Sequence, residues 1–481
     1  MFKISRWVWV LLGVGSGFFI ATQSLIATLS LGTFITVVVA ISFSPLAILN
    51  ILVVLAPLRT LVATESSLHL PLDIGQALFI VYIVTWTGWK ILRRDPLFRW
   101  RTSLVYTPII GFLLASGATV FSAASLSAWI NEWLKWMIIL ALVIILLHEV
   151  DDRWHMIVFG LIVAGTANAI IGLYIFFGGS GADHLLINSR YFRAFGTFGQ
   201  PNPFGGFMGM LIPLASMMAY GYTNRMIRIW KLRKPFIDQD FIWAIFYGLG
   251  TIVMIGGLIA SWSRGAWLGF IVAAAAMAFA LPKRFWQSIV MSSIVLALVA
   301  ISWSSGLLPN TIKVRVSSSA TELFQISDVR GVDITTANYA IIERLAHWQA
   351  AQNMARDTPW LGVGLGNYEI VYDQYRLLNW HEALGHAHNY YLNILAEAGI
   401  IGFFVYVAMW VSILLLTWQA RSHPDTLSRS VAVGLFGTWS YLAVHNMLDN
   451  LYVNNLFIHL GVMLGLLAIL HHQTYQAHKW R

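Results

Sequence analysis

The stretch F-I-W-A-I-F-Y-G-L-G-T-I-V-M-I-G-G-L-I-A-S-W-S-R-G-A-W-L-G-F-I-V-A-A-A-A-M-A-F-A-L at 241–281 contains a single charged residue, Arg264. About 20 apolar residues suffice for a helix to cross the hydrocarbon core of a bilayer. The stretch therefore reads as two spans, 241–260 and 265–281, joined by a four-residue reversal that carries an arginine. The rest of the chain repeats the pattern. Of its 481 residues, 58% are hydrophobic and 11% charged, and the mean hydropathy is +0.70. Further runs read as spans at 8–22, 25–41, 44–57, 74–91, 103–122, 133–148, 155–177, 203–221, 287–304, 399–418, 430–447 and 456–471. This predicts an all-α polytopic membrane protein of about 12–14 transmembrane helices.

Orientation follows from basic residues in short loops. Lys90, Arg93, Arg94, Arg99 and Arg101 lie in one loop, and Arg225, Arg228, Lys231, Arg233 and Lys234 in another. Lys283, Arg284, Arg421, Arg429, Lys479 and Arg481 continue the series. Alternating spans put all of them on one side, the predicted cytoplasmic face. Placing Lys3 and Arg6 there as well requires an odd number of spans before Leu58, which favours fourteen over twelve. The net charge of +9 thus reports topology and gives no reason to expect a nucleic-acid partner. Met1–Arg6 before the first apolar run reads as a signal anchor, because no A-x-A-like cleavage site follows.

One long hydrophilic segment, 305–398, falls on the opposite face with six Lys/Arg and nine Asp/Glu. It divides the chain into N-terminal helices (1–154), central helices (155–304), a large extracytoplasmic loop (305–398) with short helices, and C-terminal helices (399–481). Within the loop, Ile341, Ile342, Leu345, Trp348 and Met354 recur at helical spacing, predicting an amphipathic helix on the outer surface.

Three motifs face that same side. R-Y-F-R-A-F-G-T-F-G-Q-P-N-P-F-G-G-F at 190–207 places Arg190 and Arg193 before a helix start marked by Pro201 and Pro203. A helix N-terminus beside an arginine suits an anion. Arg264 opens another helix at the bilayer edge, where weak hydration strengthens a guanidinium's hold on phosphate. G-H-A-H-N-Y-Y-L-N-I-L-A-E-A-G-I-I-G at 385–402 offers His388 as a general base, with His386 beside it. Asn389, Asn393 and Glu397 follow as a polar stripe entering a span. His445 and Asp449, an i,i+4 pair, end another span on this face and read as supporting residues. Arg190 and His386 also have a plain reading as interfacial side chains.

Two motifs mislead. H-E-A-L-G-H at 381–386 resembles a zinc-binding pair, but the histidines are five apart, about 140° from sharing a helix face. G-V-G-L-G at 362–366 lacks the strand–turn–helix setting of a dinucleotide loop and reads as a turn after Pro359. The chain has no cysteine. These observations give no cofactor and no metal site.

Taken together, R-A-F-G-T-F-G-Q-P-N-P, S-R-G-A-W-L-G-F, P-W-L-G-V-G-L-G-N-Y and H-N-Y-Y-L-N-I-L-A-E-A-G-I-I-G resemble the O-antigen ligase/polymerase family over about 155–450. The resemblance implies a membrane glycosyltransferase of the bacterial cytoplasmic (inner) membrane, active on its extracytoplasmic face. It implies metal-independent transfer of a glycan from an undecaprenyl-diphosphate carrier to an acceptor hydroxyl, with His388 as catalytic base and Arg193 and Arg264 on the diphosphate. The acceptor stays open among lipid A core, a growing glycan and a protein side chain. A transporter or flippase of lipid-linked glycans is the main rival, although no internal repeat is visible. A metalloprotease is a weaker rival.

Overall fold

The computed structural model describes residues 44–479 apart from 59–73, 97–100, 151, 179–180, 182–184, 188–189, 232–238, 307–309, 315, 318–327 and 336–337. The helices are α1 (Pro45–Leu55), α2 (Ile74–Arg93), α3 (Tyr106–Ala118), α4 (Leu126–Glu149), α5 (Trp154–Gly178), α6 (Pro201–Lys231), α7 (Gln239–Ala260), α8 (Arg264–Ala280) and α9 (Phe285–Ser304). After the long loop's α10 (Tyr339–Asp357) and α11 (Tyr368–Tyr375) come α12 (Tyr390–Ala420), α13 (Thr426–His445) and α14 (Leu456–Lys479). A two-residue antiparallel pair, β1 (Leu186–Ile187) and β2 (Tyr191–Phe192), precedes α6. Each expected span within the described residues is a helix. The expected spans 8–22 and 25–41 lie outside the described residues. By length and composition, seven of the described helices can cross a membrane, and three shorter apolar ones accompany them.

α6 is the hub. It packs on α7 and α13, and α13 in turn packs on α8, while α14 runs along α4. Close approach depends on missing side chains: a Cβ at Gly209 of α6 would fall 2.1 Å from the Tyr441 ring of α13. At the edge, α9 presents exposed Phe285, Trp286, Ile289, Ile294, Leu298 and Ile301. An apolar helix exposed on this scale fits lipid rather than water.

The bundle has two unlike poles. Arg101 and Arg225 line one cavity, of about 890 Å³, and Arg228, Lys283, Arg421 and Arg429 line another, of about 1030 Å³. The loops expected to be cytoplasmic therefore gather at one end, here called the basic pole. Arg193 and Asn202, at the start of α6, lie at the other. From Asn202 to Arg228 an α-helix rises about 39 Å, the scale of a bilayer.

The long loop departs from expectation in two places. The helix expected on the outer surface, α10, is packed inward against α12. Ile341, Ile342, Leu345, Ala346, His347, Ala350, Ala351 and Met354 are buried. Ile341, Ile342 and Leu345 form a small core with Val329 and Trp380. The span expected from 399 begins instead at Tyr390 and is broken at Gly399 (φ 63°, ψ −168°). A β-carbon there would lie 2.4 Å from the Trp360 backbone. Carbonyls of Ala396 and Glu397, at the break, accept from the N–H groups of Val363 and Gly364, and Ile400 donates to Pro359. The glycine-rich 362–366 segment is thus a cap for a broken helix. Gly362, Gly364 and Gly366 all have φ between 67° and 99°, a region open to glycine at little cost.

Candidate active site

Four elements meet at the pole opposite the basic one. Their side chains surround a cavity of about 160 Å³ lined by Arg193, Asn202, Arg264, Arg344, His388 and Asp449, with His445, Glu343 and Ser263 among its further walls. Arg193, Arg264 and His388 therefore share one opening. The volume is below the roughly 300–1,000 Å³ of drug-sized ligand pockets. It suits a compact charged group with the rest of a ligand outside.

Local structure fixes the cations. The Arg193 N–H donates to Leu185 (2.9 Å), holding the residue beside β2. Its Nε donates to the Ser261 carbonyl at 3.1 Å, and Nη2 to Asn202 Oδ1 at 3.2 Å. The arginine thereby bridges the end of α7 and the first turn of α6. Burial, followed by the neighbouring guanidinium groups of Arg344 and Arg264, lowers Arg193 to about 10. It remains charged near neutrality, yet it registers the crowding of like charge. Arg264 is the first residue of α8, after a reversal in which Trp262 has φ 55°. The N-cap residue Ser263 makes no side-chain cap bond, so the amides of that first turn are not capped by it.

His388 lies in the loop before α12 with φ 52°, an uncommon conformation for a side chain of this size. Its Nδ1 is 3.5 Å from Asp449 Oδ1. Neither ring nitrogen has a hydrogen-bond partner among the described residues. Asp449 lies just past α13, its N–H donating to the His445 carbonyl. Burial works against its ionisation. Contact with His388 and the nearby charges, that of Arg344 among them, outweighs burial and holds the carboxyl well below the usual range.

His386 flanks His388, ring centroids 4.5 Å apart, and its Nδ1 accepts the His388 backbone N–H at 3.1 Å. Burial and the proximity of His388 lower it to about 3, so near neutrality it is uncharged with its proton on Nε2. His386, His388 and Asp449 offer ligand atoms within 4.8 Å of one another, a spacing that a metal ion could bridge. The His386 tautomer opposes this, since Nδ1 is engaged and Nε2 presents a proton. No helix runs through 381–389, and His381 contacts Arg376 instead.

The remaining expected residues divide. His445 lines the cavity. The Tyr441 hydroxyl donates to the Gly205 carbonyl (3.1 Å) and lies 3.0 Å from His445 Nδ1. With its one proton given to Gly205, the hydroxyl accepts from Nδ1–H, which leaves His445 Nε2 as a lone pair with no partner among the described residues. Arg190 lies over the Tyr191 ring, outside the cavity lining. Asn389 caps α12 through Leu392 N–H, Asn393 accepts from Ala387 N–H, and Glu397 accepts from Tyr368 N–H. The polar stripe is thus occupied with backbone groups. Arg344 was not singled out in the sequence. Its signal was a charge one residue before the apolar Leu345 in the helical pattern of the long loop.

Residues 249–407 match the O-antigen ligase family, a segment that includes Arg264, Arg344 and His388 and ends before Asp449. No curated protein matches the chain. The matched segment, less than half of the chain, and the all-helical membrane architecture agree with the motif resemblance and support a glycan-transferring, ligase-type enzyme role.

Proposed function

We propose that this protein transfers a glycan from an undecaprenyl-diphosphate carrier to an acceptor hydroxyl at the extracytoplasmic face of the bacterial inner membrane, with Arg193 and Arg264 on the diphosphate and His388 as the base. The observation that carries this reading is the single small cavity shared by those three side chains. The α8 N-terminus beside Arg264 adds amide donors and a favourable dipole for an anion.

The chemistry follows from the geometry. With Nδ1 turned toward Asp449, the Nε2 lone pair of His388 takes the acceptor's hydroxyl proton. The acceptor oxygen attacks the anomeric carbon, and the bond from that carbon to the diphosphate oxygen breaks. The diphosphate leaves with the bonding electrons, and its growing negative charge is met by fixed guanidinium groups that need no reorganisation. Asp449 stabilises the imidazolium during the step, as a carboxylate behind a histidine does in other transfer enzymes. Displacement by one nucleophile inverts the anomeric centre. The glycan and the polyprenyl chain extend outside a recess of this size. His445, as a neutral acceptor in the wall, suits a hydroxyl of either substrate.

Purified protein incubated with a lipid-diphosphate glycan and candidate acceptors tests the proposal. A ladder of products identifies a polymerase, and one discrete adduct a ligase. No product with any acceptor, alongside protein-dependent movement of the intact donor across a vesicle bilayer, would replace this reading with a flippase.

A further inference from the structure

The larger cavity of the basic pole, of about 1030 Å³, lies where α6, α13 and α14 meet the α8–α9 and α12–α13 links. Arg228, Lys283, Arg421 and Arg429 line it, and its lining holds no carboxylate. The neighbouring cavity differs: there Arg101 and Arg225 face Asp152, Asp240 and Asp425, and Arg225 pairs with Asp240 at 3.1 Å. In the larger cavity the cations bond only to neutral groups among the described residues. Arg421 donates to the carbonyls of Ala280 and Pro282, Arg429 to that of Leu281, and Arg228 to the Thr426 hydroxyl. Lys283 is exposed and has neither a hydrogen bond nor an ion pair among the described residues. Two guanidinium groups thus serve the C-terminus of α8, an end worth only about half a negative charge. The bonds fix the groups and leave most of their charge uncompensated. Burial, then the nearby Arg429, lowers Arg421 from its usual value, as crowding of like charge does.

The setting favours a lipid over a soluble anion. Lys283 stands two residues before the start of α9, where Phe285, Trp286 and Ile289 are exposed. Exposed aromatic rings next to basic side chains mark the headgroup level of a membrane helix. Lys283 therefore ties the cavity to the lipid-facing edge of the bundle. A single phosphate would fill little of the volume, and four cations match more than one negative charge. Basic pockets between membrane helices on the cytoplasmic side suit acidic headgroups.

We propose that this cavity holds the phosphate headgroup of an acidic phospholipid whose acyl chains run along α9. The site is separate from the transfer recess, and the proposal does not depend on the transfer reading. The test titrates full-length protein in detergent micelles with cardiolipin, which carries two phosphates, and with phosphatidylcholine as the net-neutral control. Native mass spectrometry reads the bound lipid. Wild-type protein should bind cardiolipin roughly tenfold or more tighter than phosphatidylcholine. Arg228→Gln and Lys283→Gln, both at exposed positions, should each weaken cardiolipin about fivefold, and together about 25-fold, the worth of one basic side chain apiece near an acidic headgroup. Arg94→Gln, a basic-pole substitution outside this lining, should leave cardiolipin binding unchanged. Equal binding of the two lipids, or unchanged cardiolipin binding in the double variant, overturns the proposal. An equal loss in Arg94→Gln also overturns it, because the attraction would then belong to the whole basic face. Displacement of bound cardiolipin by millimolar inorganic phosphate would make the ligand a soluble anion and end the lipid assignment.

Discussion

The two poles of the bundle are rich in the same residue types and differ in how far those residues are committed. At the basic pole, Arg101 donates to the carbonyls of Leu147 and Val150, Arg421 to those of Ala280 and Pro282, and Arg429 to that of Leu281. Arg225 pairs with Asp240 at 3.1 Å, and Lys90 with Glu149 at 2.7 Å. These cations close helix ends. At the opposite pole, among the described residues, His388 Nδ1 reaches only Asp449, at 3.5 Å, the Nε2 atoms of His388 and His445 have no hydrogen-bond partner, and Arg344 makes no ion pair. Size alone would point to the basic pole, whose cavities are several times larger. Uncommitted polar groups around a small recess are the better sign of a ligand, because leaving them unpaired costs stability that binding can recover.

The sharpest way to break this contrast is to remove the base. His388→Ala should cut transfer by about 10²–10⁴-fold, the usual worth of general base catalysis, with protein level unchanged in membrane fractions. Near-normal turnover would take His388 out of the chemistry. Next in size, Arg193→Gln or Arg264→Lys should each lower turnover by roughly 10²–10³-fold, as loss of a preorganised charge-stabilising donor does. A radiolabelled-donor assay reads both.

Smaller effects sharpen the picture. His347, buried in α10, is lowered to about 4, chiefly by burial and then by the neighbouring His388. A histidine whose pKa is depressed by folding contributes stability that is complete above its unfolded value near 6.5. That contribution is lost as pH falls toward 4, where the unfolded chain binds the extra proton. Protection from hydrogen exchange in 339–375, relative to the intrinsic rate at each pH, should therefore fall between pH 6.5 and 4, and His347→Gln should flatten that dependence. Arg228→Gln at the basic pole should leave transfer within about twofold of wild type, the scale of a surface substitution. Chelator treatment should have no effect, and inhibition by EDTA reversed by zinc would revive the metal reading of His386, His388 and Asp449.

Much of this contrast was legible in the sequence. The spans followed from apolar length, and the sorting of Lys and Arg among short loops foretold that one pole would gather them. Arg193, Arg264 and His388 stood out because each interrupts an apolar or glycine-rich context at a helix end. What stayed hidden depends on contacts between distant segments. The break at Gly399 exists because Val363 and Gly364 supply N–H groups to carbonyls on α12, and periodicity within 399–418 carries no trace of that. Arg344 did not stand out because an isolated amphipathic stripe says nothing about a second covering layer. Asn389 and Glu397 are polar for backbone capping, a role that spacing alone does not separate from lining a site.

The most direct test is a cryo-EM map of the protein in nanodiscs with an undecaprenyl-diphosphate glycan. The account predicts diphosphate density within hydrogen-bonding reach of Arg193 and Arg264, with the first sugar facing His388. Diphosphate density at the basic pole among Arg228, Lys283 and Arg421, with the Arg193–Arg264–His388 recess empty, would contradict it.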